Sequence, residues 1–146
     1  MTENTAASVV AAIEAAQAGY MSALKQAGSV WETRPAAGDG EEAWCARQVA
    51  EHIGGASLFF GARIAEAIGV PGPVPRRLEF ASAADAATGT AEVHAEFATV
   101  LARVTDDHLA MDVDLPRLGK QTVGGILSII ANHYKDHANQ INTLRG

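Results

Sequence analysis

The stretch TVGGILSIIANHYKDHANQINTLR, residues 122–145, decides the fold. Ile126, Ile130, Tyr134, Ile141 and Leu144 recur along it at helical spacing, and Thr122 stands in front as an N-cap. Three further segments, 4–28, 43–69 and 82–106, carry the same kind of pattern. In the first, Val10, Ile13, Gln17, Tyr20 and Leu24 follow at intervals of 3, 4, 3 and 4. The second offers Val49, Ile53, Ala56, Phe60, Ile64 and Ala67. The third offers Val93, Phe97, Val100 and Val104 behind Ser82-Ala83-Ala84-Asp85, which reads as a capping box. Each segment has one apolar stripe to bury, and four such helices bury their stripes against one another. The expected architecture is all-α, a four-helix bundle occupying residues 1–146 as one domain.

Prolines separate the four segments, because proline lacks an amide donor and constrains the residue before it. They stand at 35, 71, 73, 75 and 116. Residues 70–81 therefore read as a long proline-rich crossover between helices two and three. Leu109, Met111, Val113 and Leu115 alternate with polar or small neighbours, which suits a short strand or an extended loop over an apolar edge, and the loop is expected there. The chain contains 30 alanines, which favours closely spaced helices over sheets.

Charge removes one class of function. Lys and Arg number 11 against 17 Asp and Glu, for a net charge of −6, and the only basic doublet of note is Arg76-Arg77. A nucleic-acid binder needs many cations on one surface, so that class is excluded. No apolar run approaches the roughly 18 residues of a spanning helix, so no membrane partner is expected. Met1–Thr5 lacks the basic and apolar regions of a secretory leader, and the one cysteine, Cys45, has no disulfide partner in the chain. A cytoplasmic location is expected.

Five histidines occur, at 52, 94, 108, 133 and 137. His133 and His137, four residues apart, project from one helix face about a turn apart, so one ion can accept a nitrogen from each. Both fall on the stripe Ile126, Ile130, His133, His137, Ile141, Leu144, in place of apolar residues. His52 falls on the second helix's stripe between Val49 and Ala56. Burying an imidazole without a partner costs about 1–3 kcal/mol, and one divalent ion would compensate all three. Histidine suits zinc, nickel, iron and copper alike, with zinc or nickel expected here. His94, at the edge of its stripe, and His108, near a helix end, read as structural.

The segment Trp44-Cys45-Ala46-Arg47-Gln48-Val49-Ala50-Glu51-His52-Ile53 resembles the second-helix signature of the DinB-like (YfiT-like) superfamily. His133-Tyr134-Lys135-Asp136-His137-Ala138-Asn139-Gln140-Ile141 resembles its fourth-helix signature. The resemblance implies one divalent metal on His52, His133 and His137, and a homodimer. Family activities include S-transfer from a low-molecular-weight thiol, the related maleylpyruvate isomerisation, and metal-dependent hydrolysis. Cys45 departs from the Ser or Thr that relatives carry after the Trp; as an N-cap it would be a poor acceptor.

Three neutral histidines leave an ion with an open coordination position, unlike the closed sites of structural zinc. An ion there can lower the pKa of water for hydrolysis or deprotonate a thiol for transfer. The leading expectation is a thiol-dependent S-transferase or isomerase acting on a small electrophile. The alternatives are a metal-dependent hydrolase, and a non-catalytic bundle that binds a small molecule or partner. No catalytic group beyond the ligands is identified. Glu51 and Asp136 adjoin ligands in sequence but point about 100° away, so both read as solvated. Tyr20 and Tyr134 could bring hydroxyls to the site, although Tyr134 is expected to pack against a neighbouring helix. Trp31 and Trp44 read as core or rim anchors, and Cys45 as a small buried residue.

Overall fold

The computed structural model describes residues 5–145. Four helices dominate: α1 (Ala6–Lys25), α2 (Ala46–Ile68), α3 (Ala83–Leu101) and α4 (Val123–Leu144). Residue 4, where the first expected segment begins, and the expected leader-free start at residues 1–4 lie outside the described residues. Each helix starts at a residue that explains the start. Thr5 and Ser8 form a reciprocal capping box on α1. Ser82 Oγ accepts from the Asp85 amide at 3.1 Å, and Thr122 Oγ1 from the Gly125 amide at 3.0 Å. Cys45 is the N-cap of α2 and is buried; there Gln48 Oε1 accepts from the Cys45 amide at 3.1 Å.

The third segment stops short of expectation. Helix α3 ends at Leu101, and Asp106–Ala110 forms a short 3-10 turn instead. The local backbone has found other partners: the Thr105 amide donates to His108 Nδ1 at 3.0 Å. The Ala6 amide at the start of α1 donates to Asp106 Oδ1 at 2.7 Å, which puts a carboxylate at a helix N-terminus.

The extended loop expected over 109–115 is corrected to a strand. Strand β1 (Asp112–Leu115) pairs antiparallel with β2 (Gly119–Thr122), Asp112 opposite Thr122 and Leu115 opposite Gly119. Gly119 takes a φ of +73°, the left-handed conformation that closes a short hairpin. The period of two holds only within β1, where Val113 and Leu115 are buried and Asp112 and Asp114 exposed; Leu109 lies in the 3-10 turn and Met111 is exposed.

Residues 70–82 contain no helix or strand. They touch α2 at successively earlier levels. Pro73 packs against Gly61, Leu78 occupies the space a Cβ on Gly54 would fill, and the Phe80 amide donates to Glu51 Oε2 at 2.9 Å. Phe80 in turn lies against Gly89 of α3, and Phe97 against Gly61 of α2, so these two helices run the same way. Helix α4 runs opposite to α2, since His52 meets His137 while Ser57, later in α2, meets the earlier Tyr134. The core between the helices includes Ile13, Tyr20, Leu24, Val49, Ile64, Phe97, Ile126 and Tyr134, all essentially inaccessible. Among the described residues no helix is long and apolar enough to cross a membrane.

Candidate metal centre

Antiparallel α2 and α4 bring the early turns of one beside the late turns of the other. His52 therefore meets His133 and His137 at one end of the bundle. The potential ligand atoms of the three side chains all lie within 4.8 Å of one another. His52 Nε2 and His133 Nε2 stand 2.9 Å apart, and the ring centroids are separated by 4.8, 5.3 and 4.6 Å for the pairs 52–133, 52–137 and 133–137. Trp44 covers one side of His52, with ring centroids 5.0 Å apart.

The placement differs from expectation in one respect. Only His137 is buried; His52 and His133 are half-buried at the rim of the core. The core position on α4 belongs to Tyr134, 1% exposed, and the adjacent His133 is rotated about 100° from it. The triad thus sits where apolar packing gives way to solvent.

Its electrostatics favour neutral imidazoles. Burial pushes His133 down from 6.5 to about 3, assisted by His137 and His52. His52 is also lowered, first by burial and then by His137, while Glu41 opposes the shift. A neutral imidazole has a lone pair to give, so protons compete weakly with an ion here. His137 Nδ1 donates to Gln140 Oε1 at 2.7 Å, which leaves its Nε2 as the free lone pair. The donor set fits a divalent ion: three imidazole nitrogens, convergent, with one ring already fixed in orientation.

Other candidates resolve differently. Glu51 accepts from Arg47 at 3.1 Å and from the Phe80 amide, so it anchors the segment before α3 and does not touch the triad. Asp136 is exposed. The Tyr134 hydroxyl turns into the bundle, 3.2 Å from Ser57 Oγ and 3.5 Å from His94 Nδ1. Tyr20 is fully buried against Tyr134, ring centroids 5.4 Å apart, and its hydroxyl has no partner among the described residues. Burial raises the pKa of both phenols, so both stay protonated. His94 is buried and structural: its Nε2 donates to the Glu14 carboxylate at 3.0 Å. His108 Nδ1 accepts from the Thr105 amide, and Trp31 is a buried anchor.

Sequence reasoning missed Glu41 and noted Gln140 only as part of the fourth-helix signature, with no role. Glu41 Oε1 lies 3.4 Å from His52 Nε2, and the Glu41 carbonyl accepts from Gln140 Nε2. Both residues also line a groove of about 450 Å³ beside the triad, together with Pro35, Trp44, Asp136 and Leu144. None of the three histidines lines that groove itself, nor a comparable apolar groove of about 430 Å³ between α2 and the hairpin.

The model of the DinB superfamily matches residues 9–141. Among solved structures, the chain is similar to TT2238, described as a four-helix bundle protein, with 18% identity and a TM-score of 0.71. That similarity covers 95% of this chain and 99% of TT2238, and it bears on the fold. No curated protein matches the chain.

Proposed function

The chain belongs to the DinB superfamily, and from that premise we propose that it is a metal-dependent transferase or isomerase that brings a low-molecular-weight thiol to a small electrophile. The observation that carries the reading is the convergence of His52, His133 and His137, whose ligand atoms lie within 4.8 Å at a half-exposed rim. A buried structural site would not need that opening. His52, His133 and His137 would hold one divalent ion, zinc or nickel, and Gln140 keeps the His137 lone pair turned toward it. When bound, the ion supplies the positive charge that lowers the pKa of a thiol at its open position. Trp44 shields one face of His52 from water, and the groove of about 450 Å³ beside it has the size of a small-molecule site.

Elemental analysis of untagged protein, purified without chelators or a metal column, tests the first part. About one ion per chain in the wild type, lost in His133→Ala, is the expected result. The second part is tested by thiol consumption across a panel of electrophiles, with and without metal. Metal-dependent consumption in the wild type alone supports the proposal. Metal-dependent ester or amide cleavage without thiol would replace it with hydrolysis. A chain that takes up neither zinc, nickel nor manganese would refute the reading altogether.

A further inference from the structure

The three histidines do not account for Glu41. It belongs to a short 3-10 turn, Gly40–Ala43, just before α2, yet its carboxylate Oε1 comes within 3.4 Å of His52 Nε2. That same nitrogen faces His133 Nε2 at 2.9 Å. Ligands bound at about 2.0–2.1 Å around a tetrahedral ion stand roughly 3.4 Å apart, so the carboxylate stands at a neighbouring ligand's distance from His52, although the side chains whose ligand atoms all lie within 4.8 Å of one another are the three histidines alone.

Nor is the turn free to carry the carboxylate away. Gln140 Nε2 donates to the Glu41 main-chain oxygen, while Gln140 Oε1 accepts from His137 Nδ1 at 2.7 Å. One amide therefore fixes the orientation of a histidine ligand and the backbone of the residue beside another. The Glu41 side chain remains 59% exposed, so its backbone is anchored while its carboxylate can swing into solvent. Glu42, next in the chain, is exposed and lines the same groove, but the ion pair with His52 belongs to Glu41.

Resting on the reading that the triad holds a divalent ion, we propose that Glu41 is a displaceable fourth ligand to that ion and that Gln140 is the residue that positions it. An incoming thiol would bind as the thiolate in place of the carboxylate, its proton passing to the released Glu41 carboxylate or to solvent, while the three histidines stay in place.

Cobalt(II) provides a readout independent of turnover, because its visible bands report coordination number and ligand type. Wild type, Glu41→Gln, Glu42→Gln, Gln140→Ala and His133→Ala are each titrated with cobalt against a chelating dye. Glu41→Gln is expected to weaken binding about tenfold and to shift the bands. Gln140→Ala should weaken it about 10- to 100-fold and shift the bands the same way. Glu42→Gln removes the same charge one residue away and should leave the bands unchanged. The proposal is overturned if Glu41→Gln keeps wild-type affinity and bands while His133→Ala loses the ion. It is equally overturned if Glu42→Gln reproduces the Glu41→Gln effect, which would make the contribution a field effect. A wild type that binds no cobalt refutes the histidine site itself, a result distinct from either. Circular dichroism of each variant establishes that it is folded, which the exposure of Glu41 leads one to expect.

Discussion

Tyr20 and Tyr134 pack ring to ring in the core, and deleting one oxygen from each should change stability in opposite directions. The Tyr134 hydroxyl lies 3.2 Å from Ser57 Oγ, and Ser57 is only 4% exposed. Tyr134→Phe removes that hydrogen bond, worth about 1 kcal/mol, and leaves a buried serine hydroxyl without its partner. The combined cost should be about 1–3 kcal/mol. The Tyr20 hydroxyl is equally buried but has no partner among the described residues, so the folded state carries its desolvation penalty uncompensated. Tyr20→Phe removes the penalty and should be neutral or stabilising by about 1–2 kcal/mol. Urea denaturation with a common m value measures both. For a chain of this length each kcal/mol moves the midpoint of thermal unfolding by roughly 3 °C, so scanning calorimetry gives a second check. Burial raises both phenol pKa values, so the contrast should persist unchanged through neutral and mildly alkaline pH. A Tyr20→Phe variant destabilised by more than about 1 kcal/mol would refute the reasoning, because the hydroxyl would then have a favourable partner.

The depressed His133 sets a pH dependence. Its folded value of about 3 lies below the ordinary 6.5, so the unfolded chain takes up the proton first, and stability of the metal-free protein should fall as pH drops from about 6.5 toward 3. His133→Ala should flatten that slope in urea titrations at several pH values; an unchanged slope would show that His133 is not responsible. Zinc or nickel at about 100 times its dissociation constant should stabilise the wild type by about 2.7 kcal/mol, and a thermal scan should show no such gain for His133→Ala. Thr122→Ala removes the cap from the Gly125 amide and should cost about 1 kcal/mol in urea, with no effect on metal affinity. Asp106→Ala unties the Ala6 amide and should cost a similar amount; no loss would mean that water replaces the carboxylate there.

What could be read in advance was whatever a single element carries on its own. Thr122 caps α4, and the spacing of Val93, Phe97 and Val100 marks a buried face of α3. The triad was legible for the same reason, since His133 and His137 share a face and His52 interrupts an apolar stripe. The hairpin was less so. Val113 and Leu115 alternate as a strand should, but a strand needs a partner, and that partner lies beyond Pro116, where Gly119 turns the chain back. The Glu14–His94 contact joins α1 to α3, and no spacing within either helix announces it. Glu41 is one of 17 acidic residues, distinguished only by the proximity that folding gives it to His52 and Gln140.

The rim position of the triad follows from a one-residue offset on α4. Tyr134 takes the inward direction and fills the core against Tyr20 and Ser57, so that this part of α4 needs no ion to be stable. His133, one residue earlier, is rotated about 100° toward the edge, where it is buried enough to stay neutral and open enough to be reached. Had the histidine taken the inward position, an ion there would be closed in by packing, with no route for a small molecule. Exchanging the two side chains, in the double variant His133→Tyr with Tyr134→His, should therefore cause two losses together. Core packing at position 134 should be lost at a cost of about 3–5 kcal/mol, and metal binding at position 133 should be lost with it. Retention of metal with wild-type stability in that variant would show that the offset is incidental.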